Sequence, residues 1–316
     1  MNEKKVSGEG TGDRFPIRVL SERTGVGTSN LRAWERRYGL LVPDRTPKGH
    51  RLYSERHIRD VAYILAQLGE GHSLAGIAKL LKRDHQVVDS VEDTFQQAGV
   101  WSRYIEHTLG AIENFSATRL EAVYNEASSL YPVDMVTERL MEPILERLGQ
   151  RWSERQAGIA EEHFYTSWVR NRLGARFHHA GGQARGAKVI ATCLPGSVHE
   201  IGLMLFSLSA MARGYRILYF GPDMPLEQLK HVVWRSAARA VVLAGHDPLS
   251  GELEGQLARL SDELEVPLLL GGPCSDEPLP RFESAGGTRL GSGVAVALKI
   301  LAARIPLYAG SSRRRG

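Results

Sequence analysis

Cysteine is scarce in this chain of 316 residues: there are two, Cys193 and Cys274, with no CxxC pair. That argues against a disulfide framework and a thiolate zinc site, and a reducing cytoplasmic setting suits it best. Long apolar runs are missing too. The longest, around Ile201 to Ala212, is interrupted by serines and falls short of the roughly 20 residues that cross a bilayer, so no membrane partner is expected. The opening MNEKKVSGEGTGDR has no apolar h-region and reads as a tail over residues 1–14 rather than a signal peptide. The dinucleotide fingerprint GxGxxG is absent. What is present is ordinary globular composition, 42% hydrophobic and 24% charged, in a length that suits about two domains.

Charge is uneven. Residues 1–84 hold 16 Lys/Arg against 10 Asp/Glu, a net of +6, so the remainder of a chain at +4 carries −2. A basic head on a near-neutral body suits nucleic-acid binding, although such an excess also occurs in proteins that touch no polyanion. Within the head, Leu31, Trp34 and Tyr38 recur at helical spacing with Arg32, Arg36 and Arg37 between them. Thr28 and Ser29 are suitable N-caps and Gly39 a suitable stop. With the preceding PIRVLSERTGV this predicts a helix-turn-helix whose second member enters a DNA major groove. The next segment, PDRTPKGHRLYSERH, reads as a wing carrying Arg45, Lys48, His50, Arg51 and Tyr53.

The run NLRAWERRYGLLVPDRTPKGHRLYSERHIRDV resembles the DNA-binding domain of MerR-family transcriptional regulators, here residues 15–84. The resemblance implies base and phosphate contacts by Asn30, Arg32, Arg36, Arg45, His50, Arg51 and Tyr53, with Leu31 and Trp34 in the core. Arg32 and Glu35 can instead serve an internal ion pair. It also implies self-association on a twofold double-stranded operator. The long coiled-coil helix usual after this domain is not evident.

Residues 85–183 read as a helical bundle of four or five members, with Met135, Leu140, Met141, Ile144 and Leu148 in its core and Pro132 opening one of its helices. Trp152, SERQAGIA and then Glu162-His163 read either as a ligand contact or as a surface accident. From 184 to 307 short apolar β runs alternate with helical ones, which predicts a flavodoxin-like (Rossmann-type) parallel sheet flanked by helices. Ligands bind such sheets at the loops after the strands. There LPGSVHEIG offers His199 and Gly202, while FGPDMP, LAGHDP and LLGGPCS place Gly245, Gly271 and Gly272 where they leave space for a long tail. The plain alternative is a domain in which His199 merely caps a helix. Residues 308–316 read as a second tail.

SVHEIG, FGPDMP and LLGGP resemble the cobalamin-binding domain that carries a DxHxxG or ExHxxG motif. The resemblance implies that His199 is the lower axial ligand of cobalt and that the helices before it form a cap. Trp152 followed after nine residues by Glu162-His163 resembles the CarH/LitR photoreceptor regulators, members of the MerR family. It implies adenosylcobalamin, with Trp152, Glu162 and His163 around the adenosyl group, and a dark tetramer that represses transcription and is dismantled by light. Three positions depart from the pattern. Ser197 stands in place of the acid that orients the ligand histidine, with Glu200 an uncertain substitute. Ser153 stands where light-sensing relatives have a histidine. Gly245 stands where a serine is frequent.

The leading expectation is therefore a multidomain α and α/β protein, not an enzyme, that represses transcription under control of adenosylcobalamin and light. A light-independent cobalamin sensor is the alternative that Ser153 favours. A corrinoid enzyme subunit has no room for its partner barrel of about 250 residues. A MerR regulator binding some other flat or dinucleotide ligand is the last.

Overall fold

A computed structural model describes residues 14–83, 91–151, 157–180 and 184–307. The expectations for Trp152, Ser153 and most of the two tails lie outside the described residues. Contacts divide the chain into two compact units, Met1–Glu106 with Ala122–Pro132, and His107–Glu121 with Val133–Gly316.

The first unit opens with α1 (Ile17–Thr24), stopped by Gly25 at φ 72°. The turn leads to α2 (Thr28–Ala33), which runs on as a π-helical turn over Trp34–Tyr38 and ends at Gly39, φ 64°. The N-cap is Gly27 rather than Thr28 or Ser29, because the helix begins one residue earlier than the side-chain preference suggests. A two-stranded antiparallel hairpin follows, β1 (Asp44–Arg45) and β2 (Arg51–Leu52). Then come α3 (Glu55–Glu70) and α4 (Leu74–Arg83). Helix α3 starts in a reciprocal box in which the Ser54 amide donates to His57 Nδ1 at 3.0 Å. His57 Nε2, left with the proton, reaches the Val42 carbonyl at 3.0 Å and ties the end of the turn to α3. Leu20, Leu31, Trp34, Ile64 and Ile77 form the core, as the 3.6-residue spacing requires. Helices α5 (Val91–Glu113) and α6 (Ala117–Leu130) each contribute to both units. Within the first unit, Trp101 packs on Tyr131 with ring centroids 4.7 Å apart.

The second unit continues with α7 (Val133–Val136), a π-helical turn over Thr137–Met141, α8 (Glu142–Arg151) and α9 (Gly158–Ala180). Leu140, Met141, Ile144 and Leu148 are buried as expected, and Met135 is half-buried. The alternating segment then supplies β3 (Lys188–Cys193), α10 (Ile201–Ala212), β4 (Arg216–Gly221), α11 (Leu226–Ser236), β5 (Ala240–Ala244), α12 (Gly251–Glu263), β6 (Leu268–Gly271), α13 (Pro280–Ser284), β7 (Thr288–Gly291) and α14 (Val294–Arg304). The five strands are parallel in the order β4-β3-β5-β6-β7, the flavodoxin-like order. Strand β5 is buried at every position, because helices cover both faces of such a sheet. Helix α10 is buried from Leu203 to Met211, as a helix apolar on all sides must be. It packs against α9, α14 and β4. The short fifth strand, TRLG, carries too little apolar pattern to stand out in the sequence.

This topology places the functional loops. Chain order reverses between β3 and β5, and in an open α/β sheet the crevice at that reversal, beyond the strands' carboxyl ends, is where ligands bind. The loops that open onto it are those that follow β3 and β5.

Candidate functional site

In the first unit the basic side chains sort by burial. Arg32, Arg36, Arg37, Lys48 and His50 are exposed. Glu35, in the π-helical turn, accepts from Arg45 at 3.3 Å and from Arg51 Nε at 2.6 Å. It thereby clips both strands of the hairpin to the helix, and this bond raises the Arg51 guanidinium further above its ordinary value. The internal ion pair foreseen for Arg32 and Glu35 thus runs from Glu35 to the wing. Two expected DNA contacts are corrected. Asn30 is 5% exposed and its amide donates to the carbonyls of Ser128 and Tyr131 at 3.0 and 3.2 Å. Tyr53 is 1% exposed, pairs its backbone with Phe15 and sets its ring edge-on to His57. Neither side chain is presented to solvent, and at Asn30 the inner face of the helix-turn-helix is sealed by Ser128 and Tyr131 at the end of α6. Trp34 joins that seal, its Nε1 donating to the Leu130 carbonyl at 2.8 Å.

In the second unit His199 stands exposed in the loop between β3 and α10. Two residues before it, the Ser197 hydroxyl is buried without a hydrogen-bond partner. The loop is pinned at its base: the Gly196 amide donates to Asp223 Oδ1 at 2.8 Å, and the Asp223 amide to the Ser197 carbonyl at 3.3 Å. On the other side of His199, Glu200 is buried and its carboxylate is shared. Arg170 Nε of α9 donates to Oε1 at 2.5 Å and the Tyr219 hydroxyl of β4 to Oε2 at 2.7 Å. Burial, and then this bond, push the Tyr219 phenol far above its usual value. Burial and the nearby Glu200 push the Cys193 thiol up to about 12. Glu200 is therefore engaged away from the imidazole and is not a replacement for the acid missing at 197. Sequence reasoning did not find Arg170 or Tyr219; neither stands in a motif, and both reach Glu200 from distant elements.

The exposed edge also holds His246, from the loop after β5, with its ring centroid 4.6 Å from that of His199. Gly202, on the first turn of α10, is exposed, and a Cβ there would meet nothing within 4 Å. Its lack of a side chain serves no internal contact and leaves that helix face clear. Gly245 and Gly272 behave differently. Gly272 has φ +87°, and a Cβ on it would lie 2.3 Å from the Gly245 carbonyl oxygen; one on Gly245 would lie 2.6 Å from Leu194 Cδ1 and 2.9 Å from Cys274 Sγ. These glycines let the ends of β5 and β6 meet, so the space that the sequence suggests beside them is filled by Leu194 and Cys274. Gly271 is buried with only ordinary contacts. Glu162 is half-buried and His163 exposed on the first turns of α9, and Trp152 lies outside the described residues. An open cavity of about 460 Å³ lined by Ser275, Arg289 and Arg304 includes none of the expected site residues.

An exposed imidazole at the sheet reversal, an unpartnered buried hydroxyl beside it and a clear helix face suit a flat macrocycle that carries a metal with one axial position to fill. Among the described residues no group of three or more His, Cys, Asp and Glu is placed to hold a metal ion. No helix among the described residues is long and apolar enough to cross a membrane.

Comparison with known proteins matches the basic head and the helical segment before the sheet. The family described as MerR HTH family regulatory protein matches residues 15–84, and the family described as B12 binding domain matches residues 104–176. The chain is similar to the HTH-type transcriptional repressor CarH of Myxococcus xanthus, 30% identical over 274 residues, 83% of this chain and 89% of that one. It is also similar to the repressor CarA of the same organism, 26% identical over 68% of this chain and 70% of that one. In fold it is similar to the monomethylamine corrinoid protein of Methanosarcina barkeri, with TM-score 0.50 and 17% identity over 64% of this chain and 99% of that one.

Proposed function

Because this chain belongs to the family of CarH-type HTH transcriptional repressors, we propose that it is an adenosylcobalamin-dependent, light-responsive repressor whose oligomeric state and hold on DNA change with illumination. It is a transcriptional regulator with a MerR-type head and a B12-binding domain; its use of the adenosyl form, its response to light and its assembly as dimer or tetramer are the proposal. The observation that carries it is the exposed His199 at the sheet reversal, beside the buried and unpartnered Ser197 hydroxyl.

His199 would supply the protein's ligand to cobalt, with Gly202 leaving room for the corrin. Gly245, Gly271 and Gly272 would border the buried tail, which requires Leu194 and Cys274 to give way. Glu162 and His163, with Trp152, would face the adenosyl group. Bound there, the group would supply a light-sensitive cobalt–carbon bond. The residues of this chain do the rest. Glu200 fastens the His199 loop to α9 through Arg170, and α9 also carries Glu162 and His163, so the two sides of the site share one rigid element. On DNA, Arg32 and Arg36 would enter the major groove while Lys48 and His50 of the wing, held by Glu35, would meet the backbone.

The test is absorbance and gel-filtration mass of the purified protein with adenosylcobalamin, in darkness and after green light. Binding with a light-dependent change in mass is expected. Failure to bind any corrinoid would end the reading. Binding with no change in mass would leave the light-independent cobalamin sensor, which Ser153 in place of the expected histidine favours.

A further inference from the structure

His199 and His246 leave the sheet from neighbouring strands, β3 and β5, one on each side of the reversal in chain order. Their rings meet with centroids 4.6 Å apart and planes inclined by 36°, at the close end of the range of about 4.5–7 Å in which aromatic rings attract. Both residues are exposed, so the contact is not forced by core packing. Neither Ser197 nor Glu200 offers the His199 ring a fixed partner: Ser197 keeps its hydroxyl buried and unbonded, and the Glu200 carboxylate serves Arg170 and Tyr219.

We propose that His246 is a positioning residue for His199, holding its imidazole upright as an axial ligand where the customary acid is missing. The inference rests on the cobalamin reading above. An exposed histidine loses side-chain freedom when it coordinates, and a ring already leaning on it removes part of that cost beforehand. The ring contact orients the imidazole but accepts no proton from it, so it does not raise ligand basicity as a carboxylate does. What matters at position 246 is thus a flat ring rather than a hydrogen-bonding group.

That distinction sets the experiment. The probe is cobinamide, a corrinoid without the benzimidazole arm, added to the full-length chain in its Co(II) state. Affinity is read by titration, and axial nitrogen coordination by the nitrogen splitting of the electron paramagnetic resonance signal. With this probe any axial nitrogen comes from the protein. In the unaltered chain a single nitrogen is expected. His246→Ala is expected to weaken binding by about two- to tenfold and to yield a mixture of nitrogen-bound and nitrogen-free cobalt, while His246→Phe restores both readouts. His246→Ala with unchanged affinity and splitting overturns the proposal, as does a loss that His246→Phe fails to restore. Splitting that persists in His199→Ala and disappears in His246→Ala would make His246 the ligand itself and likewise overturn it. Bound cobinamide without protein nitrogen in the unaltered chain overturns His199 as the ligand, and this inference with it, but leaves corrinoid binding standing; failure to bind any corrinoid ends the cobalamin reading itself.

Discussion

Arg170 and Glu200 form an ion pair at 2.5 Å between α9 and the loop that carries His199, with the carboxylate 9% and the guanidinium 48% exposed. The half-open arginine limits what the pair contributes to stability, while the buried carboxylate makes its loss costly. Glu200→Ala leaves both Arg170 and the Tyr219 hydroxyl without their acceptor. The expected result is a loss of about 1–3 kcal/mol, measured by chemical denaturation, together with weaker corrinoid binding. Undiminished binding would show that the His199 loop stands without this anchor.

On the DNA side, Arg32 and Arg36 are exposed and Arg51 is tied to Glu35. Arg36→Ala is expected to weaken operator binding; if the side chain meets a phosphate, the slope of affinity against salt falls by about one, and if it reads a base, specificity relaxes by about 1–3 kcal/mol at one position. Asn30→Ala should instead lower stability, since its amide bonds to Ser128 and Tyr131 are internal. Binding titrations at several salt concentrations, alongside thermal melts, separate the two.

Gly272→Ala places a methyl group 2.3 Å from the Gly245 carbonyl at a backbone φ of +87°. Overpacking of this kind costs about 1–3 kcal/mol, and the strained φ adds to it. A thermal melt of the ligand-free protein checks this. At Gly202, where a Cβ meets nothing, alanine is expected to leave ligand-free stability nearly unchanged and to weaken corrinoid binding.

Burial raises both cysteine thiols, Cys193 to about 12 and Cys274 to about 11. Nucleophilic attack needs the thiolate, so neither should react with iodoacetamide in the folded protein at pH 8. Alkylation followed by mass spectrometry is expected to show modification only in denaturant.

Glu142 accepts from the Val294 amide at 2.8 Å, yet burial holds its carboxyl above the usual range. A carboxyl whose folded value is raised favours the folded state most below its unfolded pKa, and that contribution is lost as pH rises through the folded value. Glu142→Gln keeps an acceptor for Val294 without the buried charge. Its stability relative to the natural protein should therefore improve from pH 4 to pH 7, as followed by denaturation at both.

All the helices but α13, the strands β3 to β6, the basic head and His199 in the loop after β3 were legible from residue order, because each rests on a local signal: a period, a cap, a turn residue or a short motif. Strand β7 carried no such signal. The fates of Asn30, Tyr53, Glu200 and His246 depend on partners that local patterns do not register. Asn30 meets carbonyls 98 and 101 positions away, and Glu200 meets Arg170 across 30. His199 and His246 touch because β3 and β5 are neighbours in the sheet. A helical or strand period tells which way a side chain faces, whereas its partner across the fold is set by strand order and helix packing, which come into being only when the chain has closed on itself.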